Sequence, residues 1–296
     1  MEVKIRTLTP IWTGDVERES KTLRETSIIG SLRWWFEAIV RGLGGYACDG
    51  TNNRCEYKDD INALCPVCQV FGTTGWSRRF RFEIEYDKKD IDVGRGPKSG
   101  FKPEGNMAWK FHFISKLSNE QKWLFKKTLW IIENYGAIGG RTTWKPNGKR
   151  GTDYGLIKIE DYGEIKDWDI FADIDKVKTW LEGNKRELKK ENNKEWFNFR
   201  FYWIVDGVYL NRKQINEIVG RDPNTGRYTE KADEFDRWLG GEIGVTKKIF
   251  SFKNPSKVFG YVRERDEIEK IRKKIENLLG LSINFKTGEE ILEGLK

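Results

Sequence analysis

Residues 136–151, GAIGGRTTWKPNGKRG, combine five glycines with Arg141, Lys145, Lys149 and Arg150, and contain no acid. Such a composition suits phosphate: glycine lets the backbone curve tightly, and the cations neutralise the anion. The spacing is not that of a nucleotide-binding P-loop, which sets four residues between its first glycine and Gly-Lys and follows the lysine with Ser or Thr. Here seven residues separate Gly140 from Gly148, and Arg150 stands where the hydroxyl should be. Phosphate held without a magnesium-bound nucleotide points to a nucleic-acid backbone, gripped by loop N–H groups and cations. No nucleotide cofactor is implied.

All four cysteines, Cys48, Cys55, Cys65 and Cys68, fall within 21 residues, and the last two form CPVC. Two-residue spacing lets both thiolates reach one tetrahedral ion, and four sulfurs close its coordination, so one structural Zn2+ is expected. Two disulfides, or reduced thiols packing a loop, are the alternatives left open. Other chemistry is thinly supplied. His112 is the only histidine and lies on the polar face of an aromatic strand. No paired carboxylates with metal-site spacing appear, so no catalytic residue is assigned and the chain reads as a non-enzyme.

The elements that must position these groups follow from periodicity. Val3, Ile5 and Thr7 alternate with Lys4 and Arg6, a first strand. Leu32, Trp35, Phe36, Ile39, Val40 and Leu43 recur at helical spacing, predicting a helix over 28–43 that Gly44-Gly45 stops. In that helix Gly30 and Ser31 fall near the start, where free N–H groups attract phosphate. Arg33, Trp34 and Arg41 leave its apolar face and are expected to point outward. Phe80 to Tyr86 and Trp109 to Phe113 alternate as strands. Ser118 and Gln121 make a capping box for a second helix, and a strand follows near 156–159. The order is βαββαβ, that of a ferredoxin-like domain. A charged helix over 174–188 is expected to bridge the halves as a solvated element. FNFRFYWIV (197–205) then reads as a strand, with helices near 211–219 and 229–239. KKIFSF and KVFGYV make a hairpin across Asn254-Pro255, a helix through Ile268 and Leu278 follows, and LSINF closes as a strand. Two tandem ferredoxin-like (RRM-like) domains of α+β class, 1–160 and 161–296, are expected, with the cysteines in an insertion of the first.

Charge separates the halves. The chain has 296 residues and a formal charge of +8, but residues 1–160 hold 27 Lys/Arg against 20 Asp/Glu while 161–296 hold 27 against 26. The excess therefore lies with the glycine-rich loop, as a nucleic-acid partner requires. Thirteen Trp and seventeen Phe exceed an ordinary core and leave some rings for stacking on bases. No segment is apolar enough to span a membrane and no leader is evident, so a cytoplasmic protein without membrane partners is expected. High Lys and Glu with only three Gln suggest a thermophilic source.

TPIWTG, LRETSIIGSLRWWFEAIVRGLGG, CPVCQVFGTTGWSRRF, YGAIGGRTTW and KKIFSFKNPSKVFGYVR together resemble the RAMP superfamily of CRISPR-associated proteins. Within it they are similar to the first RAMP subunit of the Cmr (type III-B) RNA-silencing complex. The resemblance runs from residue 3 to about 263 and departs in the extended KPNGKRGTDYG. It implies tandem ferredoxin-like domains and, in antiviral defence, binding of CRISPR guide RNA and target RNA near the guide 3′ end beside other Cmr subunits. Arg33, Arg41, Arg78, Arg79, Arg141, Lys145, Lys149 and Arg150 would then contact phosphate, and Trp34 and Trp144 would stack on bases. Some RAMP backbone subunits cleave RNA with a loop aspartate after the first strand. Asp15 in TPIWTGDVERES occupies such a loop, which makes a metal-dependent endoribonuclease the rival reading.

Overall fold

The computed structural model describes residues 1–14, 20, 22–48, 55–86, 105–143, 153–184, 197–242 and 245–295. Strand β1 is Glu2–Thr7, with Val3, Ile5 and Thr7 buried. Helix α1, Glu25–Gly42, starts three residues earlier than its apolar stripe suggests, because the acidic and hydroxyl residues of its first turn are exposed or half-exposed. The short helix α2, Pro66–Phe71, was not anticipated, although its proline sits at the helix start, where no N–H is needed. Strands β2, Phe80–Tyr86, and β3, Asn106–Phe113, pair antiparallel. Helix α3, Asn119–Tyr135, opens on the expected box: Ser118 Oγ accepts the Gln121 N–H and the Gln121 side chain accepts the Ser118 N–H. Strand β4, Ile157–Asp161, completes an antiparallel sheet of order β2-β3-β1-β4.

Helix α4, Ile174–Gly183, buries Val177 and Leu181 and packs on α3. It therefore lays one apolar edge on the core, while its charged residues stay exposed as expected. The second half runs through β5 (Tyr202–Asp206), α5 (Arg212–Ile218), α6 (Glu234–Gly240), β6 (Ile249–Lys253), β7 (Ser256–Tyr261), α7 (Asp266–Leu279), β8 (Phe285–Thr287) and α8 (Gly288–Glu293). Its sheet has the order β6-β7-β5-β8, the same pattern as the first. In LSINF only Phe285 is in the strand, which runs on to Thr287, and Leu281 stays 55% exposed. Helix α8 was missed although TGEE carries its signal: Thr287 Oγ1 accepts the Glu290 N–H in a second capping box.

The two sheets differ in what covers them. The first turns one face to α1 and α3, and the charged residues of its other face are exposed or half-exposed among the described residues. The second is covered twice. Trp203, Val205, Ile249 and Val258 pack among the helices of their own half, whereas Tyr202, Ile204, Phe250, Phe252 and Phe259 join the apolar cluster of the first half. Trp35 on α1 is central to that junction: its ring lies 6.3 Å from those of Phe199, Tyr202 and Phe259, and Nε1 donates to Ala137 O at 2.9 Å. Side chains of this size stabilise by about 2–3 kcal/mol each when buried, so the junction is cohesive.

One cation is enclosed there. Lys257 on β7 is 6% exposed, and Nζ donates to Gly136 O at 3.4 Å, where α3 ends. Burial lowers its pKa to about 8, and attraction to Asp206 only partly opposes this. Below pH 8 the amine is charged both folded and unfolded, and folding bears the full desolvation penalty. Between about 8 and 10.5 only the unfolded chain still holds the proton, so this group's contribution improves as pH rises. Lys257→Met is accordingly expected to stabilise the protein at pH 7 by about 1–3 kcal/mol. That advantage should shrink towards pH 10 in paired thermal melts; a gap that does not depend on pH would show the amine to be neutral already or well solvated.

Candidate nucleic-acid interface

The open face of the first sheet is a poor platform for bases. Its outward residues are Glu2, Lys4 and Arg6 on β1, Arg81, Glu83 and Glu85 on β2, Lys110 and His112 on β3, and Lys158 and Glu160 on β4. No Phe, Tyr or Trp is among them, and the polar side chains pair: Arg6 with Glu160 at 2.9 Å, His112 with Glu83 at 3.6 Å, and Lys110 with Glu85. An RRM stacks bases on aromatics of this face. That mode, which the RRM-like expectation invites, does not suit this sheet, and the second sheet has no open face.

The surface that suits a nucleic acid lies beside α1. A groove of about 540 Å³ is lined by Trp12, Gly30, Ser31 and Trp34 of the first half, by Gly139, Gly140 and Thr142 of the glycine-rich loop, and by Thr246, Lys247, Phe250 and Tyr261 of the second half. The loop glycines serve a purpose other than the expected one. Ile138 N–H donates to Gly155 O, Gly139 N–H to Ser31 Oγ and Gly140 N–H to Trp12 O, at 2.8–2.9 Å. A Cβ on Gly139 would lie 2.6 Å from Trp12 O, and one on Gly140 2.5 Å from the Trp12 ring. These N–H groups are thus used within the protein and do not form a phosphate nest. The glycines let the loop lie directly on Trp12, a residue whose role composition and spacing could not single out.

Arg141 follows at φ 60, in the left-handed region that costs a side-chain-bearing residue strain, and its guanidinium sits 4.6 Å over the Trp12 ring. Burial lowers its pKa, opposed by Tyr154. Through Trp12 it adjoins the groove. Trp144, Lys145, Lys149 and Arg150 lie outside the described residues, as does Asp15. Gly30 and Ser31 are in the second turn of α1, so they offer groove surface and a hydroxyl instead of the free N–H groups expected of a helix start. Trp34 is half-buried, its ring held against Phe197 (4.4 Å between centroids) and Tyr261 (6.0 Å), and it lines the groove.

Four of the expected phosphate ligands are engaged elsewhere. Arg33 and Arg41 turn inward: their side chains are 24% and 12% exposed, and Glu37 lies between them. Arg33 donates to Glu37 (2.9 Å), Gly72 O (2.9 Å) and Cys68 Sγ (3.4 Å); Arg41 donates to the carbonyls of Ala47, Cys48 and Phe197. Burial works against the charge of both, and Glu37 and the nearby thiols support it. Helical periodicity takes them off the apolar stripe of α1 but cannot reveal that α2 and the cysteines pack there. Arg79 donates to Gln69 O at 3.0 Å and Lys116 O at 2.6 Å and lies over Trp76, which makes it a brace for the turn before β2. Arg78 lies 5.8 Å from the Phe80 ring and does not line the groove.

The four cysteines converge. Their sulfurs all lie within 4.8 Å of one another, with Cys48 and Cys68 at 3.3 Å and Cys48 and Cys65 at 3.8 Å. Tetrahedral zinc with Zn–S near 2.3 Å sets sulfurs about 3.8 Å apart, so the donor set and its separations fit the ion. Backbone N–H groups already face two of the sulfurs, Cys68 N–H to Cys65 Sγ and Cys65 N–H to Cys55 Sγ. Without a cation, hydrogen bonds between the Cys65 thiol and the other three sulfurs, which need its proton, hold its pKa up together with burial. All four residues are buried within the main apolar cluster. The site therefore belongs to the core between α1 and β2 and is not peripheral to it.

Residues 4–144 match the family model of the RAMP superfamily. No curated protein matches the chain. Among solved structures, the chain is similar to Cmr1 from Pyrococcus furiosus in its apo form, at 15% identity over 89% of this chain and 88% of that one, with a TM-score of 0.49. It is also similar to a chain of a type IV-B CRISPR complex (16% identity, 55% and 90% covered, TM-score 0.36). A third is in a Csm3-Csm4 subcomplex of the type III-A CRISPR-Cas interference complex (18%, 53% and 73%, 0.31).

Proposed function

From the match of residues 4–144 to the RAMP superfamily model, we propose that this chain is a RAMP protein and a non-catalytic RNA-binding subunit of a type III-B (Cmr) CRISPR effector. In that role it holds guide and target RNA near the guide 3′ end, beside other subunits of the complex, in antiviral defence. The observation that carries the RNA-binding reading is the groove. Indole and phenol rings line it, and Arg141, the first cation of the basic segment 136–151, sits over Trp12 in its wall. Phosphate contacts supply the affinity and stacking tolerates any base, so little sequence preference follows. The cysteines supply no chemistry to this role. When bound there, zinc would cross-link α2 and the segment before it to the end of α1.

Binding of a labelled single-stranded RNA to the full chain, followed by anisotropy across a salt series, tests the reading. Neutralising about four phosphates gives a slope near −3 in log affinity against log salt, roughly a fifty-fold loss for a fourfold rise. Replacing Lys145, Lys149 and Arg150 together with alanine should weaken binding and leave the melting temperature unchanged. The bound RNA should remain intact with or without divalent metal, and Asp15→Ala should change nothing. Salt-insensitive affinity would remove the phosphate reading, and metal-dependent cleavage abolished by Asp15→Ala would replace it with the nuclease.

A further inference from the structure

Gly30 is out of place by the ordinary rules of helices. It lies in the second turn of an 18-residue helix, where glycine costs about 1 kcal/mol relative to alanine. Packing does not require it: a Cβ added there would meet nothing within 4 Å. Its φ is not positive, so the backbone does not require it either. A glycine that neither packing nor conformation needs, on the floor of a groove, is explained by close approach of a ligand to the helix backbone. The walls around it are rigid and aromatic. Trp34 is held by Phe197 and Tyr261, and Trp12 is held by Arg141 and the glycines of the loop.

We infer that the groove takes one unpaired RNA nucleotide, its base laid over the bare backbone at Gly30 and against Trp34, with Trp12 and Tyr261 bounding it. This rests on the RNA-binding reading and narrows it to single strands. A cavity of about 540 Å³ is of small-ligand size and admits a base with its sugar, while the bases of a duplex are stacked inside and cannot enter. Both halves contribute walls, so the site exists only in the assembled chain. Most of its other lining groups are backbone and short hydroxyl side chains, which suits any base.

The test is an occlusion. Gly30→Leu places a side chain in the groove from a Cβ that meets no protein atom within 4 Å, and it should melt at or above the parent temperature because leucine favours helix. Its affinity for a mixed-sequence single-stranded RNA should fall about tenfold, the value of one stacked base. Quenching of tryptophan fluorescence by adenosine monophosphate, absent with ribose 5-phosphate, should disappear in the same variant. Gly30→Ala should fold as well and show a smaller loss. Parental RNA affinity in Gly30→Leu, with affinity still lost in the loop triple variant, would overturn the nucleotide site and leave the RNA-binding reading standing. Equal affinity for duplex and single-stranded RNA would also overturn it. Failure of the parent chain to bind single-stranded RNA at low salt would remove both.

Discussion

Cys65→Ser is expected to cost the protein at least about 5 kcal/mol, enough to unfold most domains at moderate temperature. Cys65 ties the set together: its sulfur accepts the Cys68 N–H and lies 3.8 Å from Cys48 Sγ, and its own N–H donates to Cys55 Sγ. Three thiolates hold the ion less well, and the free energy of coordination is folding free energy. Position decides how far the damage spreads. A cluster on a peripheral insertion would disorder locally. This one is buried with α1, whose Arg33 reaches Cys68 Sγ and whose Arg41 holds the Cys48 carbonyl. Elemental analysis of protein purified under reducing conditions should find one zinc per chain, and a chelator applied during thermal melting should reproduce the loss. Four thiols that titrate freely in the folded protein, with a melting temperature indifferent to chelator, would leave the cluster as packing alone.

Gly155→Ala should be nearly as damaging, by about 3–5 kcal/mol, and should abolish the groove with it. Gly155 has φ +96, and a Cβ there would lie 2.1 Å from Ile138 O and 3.0 Å from Ile138 N. The residue accepts the Ile138 N–H and donates to Pro10 O, so it clamps the glycine-rich loop to the segment carrying Trp12. Strained backbone contributes about 1–3 kcal/mol and overpacking a similar amount. Relief can come only by moving the loop, which carries Arg141 off Trp12. Melting temperature and RNA affinity should therefore fall together. A variant that keeps both would show that the loop has room the described contacts deny.

Most elements were legible because their causes are local. Alternation in VKIRT and FRFEIEY, the helical stripe from Leu32 to Leu43 and the Ser118/Gln121 box each act within a few residues. The misses have equally physical reasons. α4 reads as solvated because only two of its residues are buried, and their partners lie on α3. In LSINF the strand begins only at Phe285 and Leu281 stays exposed, whereas α8 opens on the local Thr287/Glu290 box.

For the site, residue types and spacing by themselves determined that four sulfurs could share one ion, that glycines and cations crowd one loop, and that the positive excess sits in the first half. Only the tertiary structure decided which of these groups meet. Arg33 and Arg41 look outward on a helical wheel, yet α2 and the cysteines close over them. Gly139 and Gly140 look like part of a phosphate nest, yet their N–H groups are satisfied by Ser31 and Trp12. Trp12, Gly30 and Tyr261 face one groove although 249 positions separate the first from the last. Periodicity tells a side chain's direction relative to its own element. What lies in that direction depends on contacts between residues far apart in the chain, and these are set only when the sheets and helices pack.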